Sequence, residues 1–439
     1  MAAEERYDVV LEVALHPLSK CDFSDARAWA EALLQPGGPF QAPEEGMHCT
    51  PSACDSFGSA NVYGARVYSI TAPRENAPPP LFWQADVEVL LQRLNDGSSS
   101  SVLSALALDG DYLPADGDCA AEGHGAHGQP SQRAFSAMVL PSVRLYSLWP
   151  SLLFSESDSL KTRLLAYAST GLRLSQAGVD AHIVRWNRLV LLHGPPGTGK
   201  TSLSRALASK IALLQCESFP SGGVLMEVNA HNLFSRYFSE SSKQVSQLFE
   251  QVNDVASDQS LLVCVLVDEV ESLAHARRTS SSSEPSDALR VVNAVLTQLD
   301  SLRERPNVLV IATSNATEAV DDAFVDRADL KAYVGPPDAR ARHEILKTCV
   351  EELIRSGIVH MDPGSNDLPS DAQLSSHIAS AALESDGMSG RTLRRLPFLA
   401  AVECNVGTKG AGTSLHRYID ALRLAISKES ADCERIGRG

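Results

Sequence analysis

No apolar run in this 439-residue chain approaches the ~20 residues that carry a helix across a bilayer, and no membrane partner is expected. The opening stretch, MAAEERYDVV, does not read as a secretory signal. A basic excess is also missing. The formal charge is −16, which argues against direct nucleic-acid binding, because phosphate contacts dominate that affinity; a local basic patch stays compatible with it. The nine cysteines, at 21, 49, 54, 119, 216, 264, 349, 404 and 433, lack the paired spacing of a disulfide framework and read as reduced thiols of cytosol or nucleus. His48-Cys49 with Cys54, and Cys119 with His124 and His127, are the metal-like groupings. Each wants a second half, so both read as loop residues rather than zinc ligands. No solenoid-type repeat is present.

What is there exceeds one hydrophobic core: a chain this long is expected to form two or three domains. Residues 1–108 mix strand-like stretches (YDVVLEVAL, NVYGARVYSI, VEVLLQRL, VLSALAL) with one amphipathic helix, SDARAWAEALL, a small α+β unit. The polar, glycine-rich residues 109–133 read as a flexible linker. Over 134–338, apolar strands alternate with helices, the pattern of an α/β fold with a parallel sheet. RLVLLHG, VLMEVN, LLVCVLVD and NVLVIATS are continuous enough for strands buried on both faces. From 339 to 439 strands are expected to vanish, leaving a helical subdomain.

The strongest chemical signal is GPPGTGKT, residues 194–201, which follows a predicted strand and opens a helix. Gly194, Pro195, Pro196, Gly197, Thr198 and Gly199 form a loop whose backbone can wrap phosphates, with the helix N-terminus adding partial positive charge. Lys200 is expected to reach the β- and γ-phosphates of ATP, Thr201 to ligate Mg²⁺, and Ser202 to complete the contacts. A glycine turn that binds no nucleotide is the bland alternative, and the complete pattern disfavours it. LLVCVLVDEVES then ends a strand in Asp268, fit to hold the Mg²⁺, and Glu269, fit to polarise the attacking water. VLVIATSN ends another in Asn315, which either helps position that water or simply forms a turn.

Phosphate loop, Asp-Glu strand, Asn-ended strand and helical lid together resemble an AAA+ ATPase. That resemblance places an arginine finger at Arg327, in DDAFVDRAD, and a lid arginine facing the γ-phosphate at Arg391, in GMSGRTLRRLP. Asp326 stands where a second finger is often found. LFSRYFSESSK, LVDEVESLAHAR, EPSDALRVVNAVLTQLD, SNATEAVDDAFVDRADLKAYVGPP and GMSGRTLRRLPFLA narrow it: over about 135–400 the chain is similar to the pachytene checkpoint protein 2 family. The resemblance implies a homohexamer that spends ATP, with Mg²⁺, on opening closed HORMA-domain proteins, with a HORMA-type adaptor. It implies a nuclear, chromosomal setting, with the cytoplasm as a second one. It also places Tyr237 and Phe238 on a loop facing the ring's pore, where aromatics can grip a peptide of any sequence. Packing of that pair under SSKQVSQLFEQV is the alternative. HARRTSSSSEPSD (275–287) is either a second pore loop or a disordered serine-rich stretch. A nucleotide-dependent scaffold and a DNA-directed motor are the rival functions.

Overall fold

The computed structural model describes residues 7–35, 40, 47–49, 51, 55–71, 85–95, 135–154, 159–180, 183–230, 241–273, 285–316, 320–360, 371–404 and 413–437. Tyr237, Phe238, the stretch 275–284, VLSALAL and the expected linker 109–133 lie outside the described residues.

Near the N-terminus, β1 (Tyr7–Leu15), β2 (His48–Cys49), β3 (Val62–Thr71) and β4 (Ala85–Arg93) form a sheet in the order β2-β3-β1-β4. β1 runs antiparallel to β3 and parallel to β4. Its alternate residues Val9, Leu11, Val13 and Leu15 are fully buried with Ala26 and Ala30 of helix α1 (Phe23–Ala32). Asp22 caps that helix by accepting from the Ser24 amide. Helix α2 (Ser56–Asn61) is tied in by Asp55, which accepts from Gly58 N and, at 2.6 Å, from Trp29 Nε1.

The central sheet has six strands: β5 (Phe135–Leu140), β6 (Leu189–His193), β7 (Gly223–Asn229), β8 (Leu262–Asp268), β9 (Val308–Ser314) and β10 (Leu330–Tyr333). Their order is β10-β6-β9-β8-β7-β5. All neighbours are parallel except β5, which runs antiparallel against β7. Strand–helix alternation could not reveal that direction, since an edge strand entering from another unit needs no crossover helix. The continuous apolar runs are explained by β8. Val263, Val265 and Val267 join one core with α7 (Ser241–Val255) and α8 (Pro285–Leu302). Leu262, Cys264 and Leu266 join another with α5 (Leu160–Gln176) and α6 (Lys200–Leu214). Two single-turn helices, α3 (Val143–Tyr146) and α4 (Leu148–Ser151), lead from β5 towards α5, and a third, α9 (Asp322–Val325), precedes β10.

The C-terminal unit packs α10 (Ala339–Arg355), α11 (Asp371–Glu384), α12 (Gly390–Glu403) and α13 (Leu415–Gly437) around the fully buried Tyr418, whose hydroxyl donates to Pro397 O at 2.8 Å. The expectation of helices alone is corrected here. A parallel ladder joins β11 (Val359–His360) to β12 (Thr413–Ser414). Strands of two residues carry no periodicity that a sequence pattern could expose.

β1 and α6 are bound across units. Glu12 and Lys210 form an ion pair, both about 3–4% exposed at the side chain, and the Lys210 ammonium lies 4.7 Å from the centre of the Tyr68 ring. Burial pushes the Lys210 pKa down, and its ammonium donates to the Glu12 carboxylate. Removing one partner leaves a buried charge unpaired, a loss of about 3–5 kcal/mol. Lys210→Met should therefore lower the melting temperature, and adding Glu12→Leu should restore most of it. A single variant that melts with the wild type would show that the pair contributes nothing to docking.

Candidate functional site

Residues 194–199 turn from β6 into α6 at the carboxyl edge of the central sheet. Two glycines are required by space. A Cβ on Gly194 would meet Val334 O at 2.3 Å, and one on Gly197, at φ +78, would meet Ser389 Oγ at 2.7 Å. Gly199 begins α6 with no side-chain cap, so the first-turn amides have no internal acceptor and face the loop. Lys200 is 5% exposed, and its ammonium donates to Gly194 O at 2.9 Å and Pro195 O at 2.7 Å. Burial lowers its pKa, Glu271 and Asp268 act in the opposite sense, and Arg391 adds to the lowering. Thr198 steadies the loop by donating from Oγ1 to Pro195 O.

The acidic side of the site comes from β8 and β9. Thr201 Oγ1 lies 3.1 and 3.2 Å from the two Asp268 carboxylate oxygens. The Thr313 hydroxyl donates to the same carboxylate and accepts from Glu269 N at 3.4 Å. Glu269 then leaves the strand at φ +61, a conformation that costs a non-glycine residue ~1 kcal/mol or more. The kink directs its carboxylate towards Asn229 at the end of β7, whose Nδ2 donates to it at 3.4 Å. Asn315 is committed elsewhere, with its backbone N and Nδ2 each donating to Glu271 at 3.2 Å.

Among the predicted residues, the structure thus brings the loop, Lys200, Thr201, Asp268 and Glu269 together. Ser202 follows on the first turn of α6. Arg391 joins them from the C-terminal unit: its amide donates to Gly197 O at 3.0 Å, and Ser389 caps α12 by accepting from Thr392 N. Arg327 is not brought to this loop. Its guanidinium makes a paired contact with Asp300 at 2.9 and 2.8 Å and donates to Ala323 O at 2.7 Å. Asn229, Glu271 and Thr313 escaped sequence reading. Asn229 ends an apolar strand as Asn315 does, Glu271 is the third acid of DEVE, and Thr313 sits inside ATSN, so a signal existed for each.

Hydroxyl and carboxylate oxygens are hard donors of the kind Mg²⁺ takes, and the glycine-lined turn leaves room for oxygens close to the backbone. The residues present therefore fit a metal–nucleotide ligand.

Comparison with known proteins agrees. Residues 190–336 match the ATPase family associated with various cellular activities (AAA), and residues 360–430 match the TRIP13-like AAA+ ATPase lid C-terminal domain. Pachytene checkpoint protein 2 homologues are similar throughout. The one from Oryza sativa subsp. indica is 40% identical, covering 97% of this chain and 89% of its own length. The one from Arabidopsis thaliana is 41% identical, covering 90% and 83%. The solved structure of C. elegans PCH-2 superposes with a TM-score of 0.70 at 27% identity, covering 96% of this chain and 99% of that one. A chain of the E. coli MS115-1 HORMA:CdnC:Trip13 complex has the same fold, with a TM-score of 0.50, 17% identity and coverage of 65% and 93%.

Thr313 offers a test that spares every predicted site residue. Thr313→Val keeps the shape but removes a hydrogen bond to a charged group, worth about 1.5–3 kcal/mol. Mg²⁺-dependent nucleotide affinity should fall roughly tenfold or more by that reckoning, with the melting curve little changed. Unchanged affinity in a titration would show that Asp268 needs no support from β9.

Proposed function

Because the chain belongs to the pachytene checkpoint protein 2 family of AAA+ ATPases, we propose that it couples ATP hydrolysis to the opening of closed HORMA-domain proteins. The observation that carries this reading is the placement of Thr201 and Asp268, a hydroxyl–carboxylate pair suited to Mg²⁺, beside a strained, half-buried Glu269 at the mouth of the phosphate loop.

Lys200 and the amides of residues 194–199 bind and orient the phosphates, and Ser202 supports them from the first turn. Held by Thr201 and Asp268, Mg²⁺ would neutralise phosphate charge. Glu269 accepts the proton of the attacking water, with Asn229 fixing the carboxylate. Asn315 acts one step removed, by orienting Glu271 near Lys200. Arg391 stands at the loop from the C-terminal unit, so phosphate charge can draw that unit inward.

Arg327 serves a neighbouring subunit. Pairing with Asp300 raises its pKa and holds it ready, away from its own loop. A homohexamer gives it a target, and Leu383, Phe398 and Val402, exposed on the C-terminal unit at 68%, 67% and 55%, offer apolar surface for ring contacts. In the ring, Tyr237 and Phe238 face the pore and grip the substrate, while the N-terminal sheet receives the HORMA protein or its adaptor. The setting is nuclear and chromosomal, and direct nucleic-acid or membrane contact plays no part.

Four experiments test the reading. Incubation with ATP and a closed HORMA dimer should dissociate the dimer, and failure with active ATPase would reject the substrate class. Glu269→Gln should bind ATP yet turn over very slowly, whereas near-normal turnover would remove its assigned role. Arg327→Ala should lose about 10³-fold in hydrolysis, as arginine fingers do. Mixing it with Glu269→Gln subunits should restore some activity, and verified mixed rings with none would count against a shared site.

A further inference from the structure

A cavity lies where the N-terminal sheet meets α6. It measures about 470 Å³, within the range of small-molecule sites. One of its walls is a single face of α6: Ala206, Ser209, Lys210 and Leu213 stand at helical positions i, i+3, i+4 and i+7. Facing them are the aromatic rings of Tyr63, Tyr146 and Trp149. Tyr63 and Tyr146 meet edge to face with centroids 5.5 Å apart, which fixes their planes.

Two polar groups in this lining are incompletely partnered. Ser209 is 2% exposed, and its Oγ has no hydrogen-bond partner among the described residues. A buried hydroxyl left in that condition costs free energy that a ligand would recover. Arg66, from β3, also lines the cavity. It stands directly across the sheet from Glu12 of β1, with Tyr146 and Tyr68 as further electrostatic neighbours, and burial lowers its pKa. Lys210 makes its ion pair with the same Glu12 carboxylate. Lys161 lies behind the ring of Trp149, at 5.2 Å, and donates to Trp149 O. Arg66 and Lys210 thus share the single carboxylate of the lining, Glu12, which leaves a cation in excess there.

We propose that this cavity is a binding site for a small aromatic monocarboxylate, its acid group taken by Arg66 and Ser209 and its flat body held among Tyr63, Tyr146 and Trp149. A guanidinium matches a carboxylate in two parallel hydrogen bonds, and a hydroxyl can donate a third. A dianion fits less well, since its second charge would sit beside the Glu12 carboxylate. The site is separate from the nucleotide's but shares its helix, as α6 begins at Lys200 and presents Ser209 nine residues later.

The test is calorimetric titration of the full-length protein with 2-naphthoate and, as a neutral counterpart, 2-naphthamide. Naphthoate should saturate one site per chain at or below about 1 mM and bind at least about tenfold tighter than the amide. Arg66→Met should erase that difference. Ser209→Leu should fill the cavity and abolish binding of both, and retained ATP turnover would report an intact α6. Equal affinity for acid and amide, no saturation, or binding indifferent to Ser209→Leu would each overturn the proposal. Should both variants fail to fold, the wild-type contrast between acid and amide still decides.

Discussion

The contact between the Thr201 hydroxyl and the Asp268 carboxylate closes the site, because it joins the first turn of a helix to the end of a strand two positions away in the sheet. Neither residue could hold that spacing alone. β8 is fixed by apolar packing on both faces, so Asp268 emerges at a set height above the sheet. α6 is fixed by the glycine turn that precedes it. Thr313 then presses on the same carboxylate from β9, leaving it little freedom to rotate. Positions of the loop, the acids and the strand-end asparagines all follow from parallel strands whose carboxyl ends share one edge.

A comparable constraint works at the opposite edge. Arg188, 4% exposed and at φ +53, donates from its guanidinium to Val308 O, to Arg303 O and Arg305 O at 2.5 and 2.6 Å, and to the Ser175 hydroxyl. Asp329 accepts from the amides of Asn187 and Arg188 and from the Tyr167 hydroxyl. These two residues tie the start of β6 to α5, to the turn after α8 and to β10. They set the strand that delivers the phosphate loop, and Arg327 lies two residues before Asp329. The segment bearing the proposed finger is thereby anchored to the nucleotide strand of its own subunit.

Much of this was legible in the chain. Apolar runs announced β6 to β9, and GPPGTGKT with its following helix announced the loop. Partners were harder, because side-chain pairing across the sheet depends on strand order, which local patterns do not carry. That is why Asp268 was legible but Thr313 was not, and why the bond from the Asn315 amide to Glu271 stayed hidden. The Glu12–Lys210 pair spans 198 positions and joins a strand to a helix, so no window of sequence could have shown it. An acid inside YDVVLEVAL reads as a solvent-facing residue until a second unit covers it.

Glu269 sits where the backbone prefers glycine. Selection for a robust fold alone would favour replacing it, since glycine adopts φ +61 without strain. A chain relieved in that way should unfold less readily while losing the carboxylate that leaves the strand end beside Thr201 and Asp268. The residue therefore marks a place where durability and turnover pull in opposite directions. Variants of this protein selected for heat resistance without regard to turnover should accumulate change there first.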